Sequence, residues 1–380
     1  MSTSPQDLAL AGRVLAQVLR ARWTGERLDA AAAEAVKPEA FEQIVKLHGV
    51  AGVLQLRHAA LLQALPPELL TVLPTLRRRA AVLALMQVRA LRELVTTLEA
   101  AGIATLPLKG LALSWRLYGD IGIRQSGDID VLVDVDAVPD AVAALLALGY
   151  QPTQPLPDRA LHWRERMRVV HHVNLQHANG AYVELHWRTD PLRSTSLPRL
   201  ATLLPTLGRI ESGPLQGLRT LPLPALQASL ASHACRSRVA RWKWGYDLLE
   251  IVSTAHPGTM PWSPALHTEL DPYTRRTMQM MAAQWSMAVP VSASLRVAGL
   301  AAAVEREQLM GRQAASASRG LLLHAGAWAA LQDWPARAEY LAWVSTRVSP
   351  DVGDAAYSLV ARKPWLAPLI RAWAAARRRS

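Results

Sequence analysis

The chain has 380 residues, 51% of them hydrophobic, which is enough to bury a core and excludes a wholly disordered protein. The 42 lysines and arginines outnumber the 30 aspartates and glutamates, and the resulting net charge of +12 favours anionic partners. A single cysteine, Cys235, excludes an intrachain disulfide. The sequence shows neither a signal peptide nor an apolar run long enough for a transmembrane segment, so we expect a cytoplasmic protein.

The N-terminal region, residues 1–101, is predicted to be helical. Apolar residues recur at helical spacing through Leu8–Leu19, Phe41–His48 and Leu54–Leu65. A longer helix is predicted over about Leu76–Ala101, just before a glycine that suits a helix C-terminus. This part of the chain therefore predicts a helical region with its own core.

The pattern changes at residue 102, and residues 102–190 are predicted to form a unit of strands and helices. Ile103–Leu108 is short, apolar and partly β-branched, which is typical of a strand. A polar loop leads into Asp128–Asp134, where apolar and acidic residues alternate with the period of a strand. Residues 136–149 are predicted to be a helix that ends at a glycine.

Two further strands are predicted over Arg168–His177 and Ala181–Arg188, because Asn179–Gly180 between them is a strong hairpin signal. The proline-rich residues before the first of these strands are predicted to be a loop. Residues 191–222 are rich in Pro, Ser, Thr and Gly and are predicted to be a connector. Residues 223–380 are predicted to form a helical C-terminal region.

The candidate site depends on three carboxylates. Asp128 and Asp130 are two residues apart in a predicted strand, so both point to the same face, where their charges repel each other. A divalent cation between them would relieve this repulsion, and Mg²⁺ accepts a few carboxylate oxygens while keeping positions for water and phosphate. Glu184 lies on the polar face of a later strand and is the natural third ligand, or a general base. A lone Asp-x-Asp pair is more often a solvated strand edge, so the prediction depends on all three residues.

Several segments stand in a specific order and spacing: Leu108–Gly110, Leu117–Asp120, Arg124, Gly127–Val133, Gly149–Tyr150, Glu184–Trp187 and Leu230–Ala234. Together they resemble an uncharacterised nucleotidyltransferase family of the DNA polymerase β-like superfamily. The resemblance covers roughly residues 90–255. It implies an α+β fold, in which a polymerase β-like core with a small mixed sheet lies between helical N- and C-terminal regions.

The resemblance also implies a reaction that depends on Mg²⁺ or Mn²⁺. A nucleotidyl group would pass from a nucleoside triphosphate to an acceptor hydroxyl or phosphate on a small molecule, a peptide or a protein. Asp128 and Asp130 would hold the metals that bind the triphosphate, and Glu184 would complete the metal site and position the acceptor. No motif for specific nucleic-acid recognition is found, so no specific nucleic-acid partner is expected.

The phosphate-binding residues depart from the wider superfamily, which has Gly-Ser or Gly-Gly after its first strand. This chain has Lys109 and Gly110 there. Gly110 still permits a close backbone approach, and Lys109 offers a charged contact to phosphate. Arg124 is predicted to be a further phosphate ligand, with a solvated arginine or an ion pair to Asp120 or Asp128 as the alternative.

The sequence also leaves two other functions open. The departure at Lys109–Gly110 leaves room for transfer of a sugar or phosphate group from another activated donor at the same metal site. A non-catalytic nucleotide-binding or antitoxin-like regulatory module is the other alternative, although a complete set of carboxylates argues against it.

The histidines of the predicted hairpin lack both a partner cysteine and the spacing of a zinc finger, so structural zinc is not expected. They are His171, His172, His177 and His186. His186 shares the face of Glu184, and we interpret it as a hydrogen-bonded structural histidine rather than as a site residue.

Overall fold

The structure is a computed structural model that describes residues 3–287 and, beyond them, residues 325, 328, 329, 331, 337–341, 363 and 367. Most of the second half of the predicted C-terminal helical region, with its basic end, lies outside the described residues. None of the helices in the described part of the chain is both long and apolar enough to cross a membrane.

Helices make up most of the described chain. The α-helices are α1 (Pro5–Thr24), α2 (Ala30–Glu34), α3 (Pro38–His48), α4 (Ala51–Arg57), α5 (Ala59–Leu62), α6 (Pro67–Leu70), α7 (Val72–Ala100), α8 (Leu111–Tyr118), α9 (Val138–Ala147), α10 (Ala160–Val169), α11 (Leu200–Leu203), α12 (Leu223–Arg236), α13 (Trp242–Ala255), α14 (Pro264–Glu269) and α15 (Pro272–Gln284). The strands are β1 (Leu106–Pro107), β2 (Ile129–Leu132), β3 (Gln151–Pro152), β4 (His172–Gln176), β5 (Tyr182–His186), β6 (Gly208–Arg209) and β7 (Arg219–Thr220).

The chain divides into two compact units, each built from separate segments. Unit 1 consists of residues 1–85, 113–125 and 230–332, and unit 2 consists of residues 86–112, 126–229 and 333–380. The sequence suggested consecutive regions instead, and that division remains a prediction. Every residue of the predicted carboxylate site belongs to unit 2.

Unit 1 has a helical core to which α1 contributes one face. Ser4 and Asp7 form a capping box that satisfies free backbone N–H groups at the start of α1. The helix ends at Gly25, whose positive φ of 68° is accessible to glycine at little cost. The side chains that α1 buries recur at helical spacing, and they are Leu8, Ala11, Val14, Leu15, Ala16, Val18, Leu19 and Ala21.

Unit 2 contains a five-stranded mixed sheet in the order β1-β2-β5-β4-β3. The pairing of β2 with β5 is parallel, and the other three pairings are antiparallel. The buried apolar side chains of one sheet face come from the three central strands, and they are Ile129, Val131, Val173, Leu175, Val183 and Leu185. A small mixed sheet with flanking helices is the α+β arrangement that the sequence predicted.

The strands differ from the predictions mainly at their ends. The hairpin through Asn179–Gly180 is confirmed, because β4 and β5 pair antiparallel and Gly180 has a φ of +88°. The predicted strand from Arg168 is wrong in its first residues, since α10 continues to Val169. Pro152 forms part of β3, which was predicted to be a loop, and the edge position of β3 explains why a proline is tolerated.

Candidate metal centre

Two central strands of the unit 2 sheet place Asp130 and Glu184 side by side. Asp130 in β2 is the register partner of Glu184 in β5, and Val131 pairs in the same way with Leu185. Paired positions of neighbouring strands point to the same face of a sheet, and successive residues alternate between faces. The two carboxylates therefore share the polar face, while the two apolar side chains are buried on the other.

Asp130 is buried, and only one of its two carboxylate oxygens has a polar partner. It is 3% exposed, and its Oδ1 lies 3.1 Å from both Lys109 Nζ and His186 Nε2. Its Oδ2 is buried with no hydrogen-bond partner. Although burial acts to raise the pKa of Asp130, the charge of Lys109 and the hydrogen bond from His186 hold that pKa well below its usual range. The carboxylate is therefore charged, and a cation ligated by Oδ2 would satisfy its orphaned oxygen.

Lys109 connects the three predicted carboxylates electrostatically. Burial acts to lower the pKa of the ammonium, but the charges of Asp130, Asp128 and Glu184 outweigh it and raise the pKa above its ordinary value. Lys109 therefore stays protonated. Because its charge responds to all three acidic side chains, these four groups form one charged cluster within unit 2.

Asp128 lies directly before β2 and is partly exposed. Its carboxylate Oδ1 accepts a hydrogen bond from Ser126 Oγ at 3.1 Å, and the same hydroxyl lies 3.2 Å from the backbone oxygen of Asp128. Gly110 is close to this serine: a Cβ at position 110 would lie 3.2 Å from Ser126 Oγ, and the φ of Gly110 is +61°. A glycine is therefore required where the chain passes the serine that orients Asp128.

His186 was not predicted as a site residue, although it stands two residues after Glu184 on the same strand face. Its Nε2 lies 3.2 Å from Glu184 Oε2 as well as 3.1 Å from Asp130, and its Nδ1 lies 3.3 Å from the backbone oxygen of Arg188. Burial acts against the charged imidazole, but the hydrogen bonds to the two carboxylates raise the pKa of His186. In the neighbouring strand, burial and the charge of His186 lower the pKa of His172 to about 4.

Two groups of side chains among the described residues have donor atoms close enough to share a metal ion. Asp130, Glu184 and His186 form one group, with donor atoms within 4.8 Å of one another. The three histidines His171, His172 and His186 form the other. Carboxylate oxygens suit Mg²⁺ and Mn²⁺, whereas imidazole suits later transition ions. The residues present therefore fit a divalent cation, and the ligand role of each carboxylate stays a prediction.

Arg124 belongs to unit 1 and is buried there. Its Nε lies 2.5 Å from Asp247 Oδ2, and both side chains are nearly inaccessible. Tyr118 donates a hydrogen bond to the other oxygen of Asp247 at 2.9 Å. An ion pair was one of the two interpretations of Arg124, although its partner was expected to be Asp120 or Asp128. Its role as a phosphate ligand stays a prediction.

A small mixed sheet that carries carboxylates on two adjacent central strands, with helices around it, is the arrangement expected of a nucleotidyltransferase fold. The model of one family, described as uncharacterised nucleotidyltransferase, matches residues 34–278. This match spans more than half of the chain, and the chain belongs to that family. Comparisons with curated proteins and with solved structures give no match. Membership confirms the family that the sequence motifs indicated and supports nucleotidyl transfer as the general activity.

Proposed function

We propose that the chain is a nucleotidyltransferase that depends on Mg²⁺ or Mn²⁺. It moves a nucleotidyl group from a nucleoside triphosphate to a hydroxyl or phosphate on a small molecule, a peptide or a protein. The observation that carries this proposal is the pairing of Asp130 with Glu184 on the polar face of the sheet, where a buried carboxylate oxygen has no partner.

Asp128, Asp130 and Glu184 are the proposed metal ligands. A divalent cation held by them would neutralise phosphate oxygens and polarise the phosphoryl group under attack. The ammonium of Lys109 keeps Asp130 charged and adds positive charge on the side where the triphosphate is proposed to bind. Gly110 directly precedes α8, and the N-terminus of a helix attracts an anion such as a phosphate group.

The proposed reaction is a displacement at the α-phosphorus. The acceptor oxygen forms a bond to this phosphorus, the bond to the bridging oxygen breaks, and pyrophosphate leaves with the electron pair. The proton of an acceptor hydroxyl has to pass to a base. Glu184 suits this task because its side chain is 22% exposed, whereas that of Asp130 is 1% exposed.

The test compares two positions of a label in the nucleoside triphosphate. Each of the four nucleoside triphosphates, labelled at the α- or the γ-phosphorus, is incubated with the protein, Mg²⁺ or Mn²⁺, and fractions of small molecules and proteins from a cell extract. We expect an α-label to appear on an acceptor while pyrophosphate is released. Transfer of only the γ-label would contradict the proposal and favour phosphate transfer.

Glu184→Gln provides the matched variant, and Glu211→Gln, at an exposed position before β7, provides the control. We expect Glu184→Gln to lower the transfer rate by roughly 10²-fold or more, because it removes a metal ligand and a base together. Equal rates for the two variants would contradict the role of Glu184.

A further inference from the structure

Three side-chain atoms that can each offer a lone pair converge on the polar face of the sheet. His186 Nε2 lies 3.1 Å from Asp130 Oδ1 and 3.2 Å from Glu184 Oε2. A proton on Nε2 can be shared with the two carboxylate oxygens, and a divalent ion that binds these side chains takes the place of that proton. The same three residues form one of the two groups among the described residues whose donor atoms could share a metal ion.

The contact made by His186 Nδ1 indicates which of the two ring nitrogens can bind a metal. His186 Nδ1 lies 3.3 Å from the backbone oxygen of Arg188, which can only accept a hydrogen bond. A hydrogen on Nδ1 satisfies this contact, so Nε2, the atom that faces the carboxylates, offers its lone pair to a metal once its own proton has left. Metal-bound histidines are commonly held in this way, with the other ring nitrogen donating to a backbone carbonyl.

The distances also suit coordination. His186 Nε2 and Glu184 Oε2 are 3.2 Å apart, so at an ion about 2.1 Å from each of them, as in typical sites for such ions, they subtend roughly 100°. This angle lies between the octahedral and the tetrahedral values. His186 is 3% exposed, so its ring is held in place by the surrounding protein.

We propose that His186 binds the same divalent ion as Asp130 and Glu184 through Nε2, so that this site favours first-row transition ions over Mg²⁺. Imidazole is a good ligand for Co²⁺ and Zn²⁺, whereas Mg²⁺ strongly prefers oxygen. The proposal deepens the proposed function and rests on it for the role of the bound ion, but the binding itself can be measured without any nucleotide.

The experiment titrates the full chain, stripped of metal and without nucleotide, with Co²⁺ and separately with Mg²⁺. Calorimetry gives the affinities, and the visible absorption of Co²⁺ reports nitrogen coordination. His186→Gln replaces the ring nitrogen by an amide oxygen. We expect it to lower the Co²⁺ affinity about tenfold or more and to weaken the visible bands, while the Mg²⁺ affinity changes by less than about threefold.

His172→Gln is the matched control, because His172 is the register partner of His186 on the same sheet face but has no place in the proposed ligand set. We expect it to bind Co²⁺ like the wild type. A loss of Co²⁺ in His172→Gln as large as in His186→Gln would assign the ion to the three histidines and overturn the proposal. Equal Co²⁺ affinity in His186→Gln and the wild type would overturn it as well.

The buried position of His186 calls for a second variant. His186→Asn keeps a polar group near Nδ1 for the contact with Arg188 but removes the nitrogen that faces the carboxylates. It should show the same selective loss of Co²⁺ affinity as His186→Gln. If both variants keep Co²⁺ affinity while the α-label is still transferred to an acceptor, the metal inference is wrong and the proposed function stands.

Discussion

Among the residues of the site, Lys109 forms an ion pair with a buried carboxylate. Its ammonium lies 3.1 Å from the buried Asp130, and its side chain is 22% exposed. Removing one member of a buried ion pair leaves the other charge uncompensated, which costs more than the pair itself contributes. Lys109 therefore supports the fold as well as the proposed triphosphate site, whereas the sequence suggested only the second role.

Lys109→Met should lower both stability and nucleotide affinity. We expect a loss of about 2 kcal/mol in the free energy of unfolding, less than for a fully buried pair because the Lys109 side chain is partly exposed. Urea unfolding measures this loss, and calorimetry with a nucleoside triphosphate and Mg²⁺ measures the affinity. Lys109→Arg keeps the charge and should lose less of both. An unchanged nucleotide affinity in Lys109→Met would contradict the phosphate role.

The ion pair between Arg124 and Asp247 allows an experiment to distinguish the two interpretations of Arg124. Arg124→Met leaves Asp247 charged, buried and short of its guanidinium partner, so we expect a loss of about 3 kcal/mol or more in unfolding free energy. The double variant Arg124→Met with Asp247→Leu should recover part of that loss, because neither charge then remains. Urea unfolding of the three proteins is the measurement. Unchanged stability with weakened nucleotide binding would instead favour a phosphate ligand.

The connection from β1 to α8 depends on Gly110. Gly110 has a φ of +61° and Gly119, at the other end of α8, has a φ of +68°, so an alanine is strained at both. Only at Gly110 would the new Cβ meet another group within 4 Å, at 3.2 Å from Ser126 Oγ. Gly119→Ala is thus a control for the backbone strain alone.

We expect Gly119→Ala to cost about 1 kcal/mol of unfolding free energy, from the left-handed backbone of a residue with a side chain. Gly110→Ala should cost more, and only this variant should weaken divalent-dependent nucleotide binding, because it displaces the serine that orients Asp128. Thermal unfolding and calorimetry of both variants provide the comparison. Equal nucleotide affinities in the two would show that Gly110 has no part in the site.

Elements with strong local signals were predictable from the sequence. Alternation of acidic and apolar residues indicated β2, and Asn179–Gly180 indicated the turn between β4 and β5. The end of α10 was missed because Arg168 and Val169 suit either a helix or a strand when read alone. β3 was missed because Pro152 is acceptable only in an edge strand, and the edge is a property of the whole sheet.

The site was predictable only in part for the same reason. Alternation with a period of two places Asp128 and Asp130 on the same face of one strand. It also places Glu184 and His186 on the same face of another strand. That Asp130 and Glu184 are direct neighbours depends on the parallel register of β2 with β5, which joins distant segments. The contact of His186 with both carboxylates follows from this register, so local sequence patterns could not show it.

The stability of the whole molecule is expected to depend on pH because of a buried histidine in unit 1. His58 is 1% exposed, its Nε2 lies 2.9 Å from Tyr246 Oη, and burial with the charges of Arg22 and Arg57 lowers its pKa from 6.5 to about 4. The unfolded chain therefore binds this proton at a higher pH than the folded one. The stabilising contribution is complete above pH 6.5 and is lost as the pH falls towards 4.

The size of this contribution is about 3 kcal/mol, from the difference between the two pKa values. Urea unfolding at several pH values between 4 and 7 measures it, with His58→Gln for comparison. His58→Gln lacks this ionisable group but keeps all the others. The difference in the free energy of unfolding between the wild type and the variant should therefore become smaller as the pH falls. A gap that does not change with pH would contradict the prediction.

Asp130 and its neighbours are proposed to hold a divalent cation that binds a nucleoside triphosphate. Calorimetric titration of triphosphate into the wild type, Asp130→Asn and Asp140→Asn, with and without Mg²⁺ or Mn²⁺, tests it most directly. Asp140 is exposed on α9 and serves as the control. We expect triphosphate binding to require the cation, to weaken by roughly tenfold or more in Asp130→Asn and to be unchanged in Asp140→Asn. Binding without any divalent cation, or equal binding by the two variants, would contradict it.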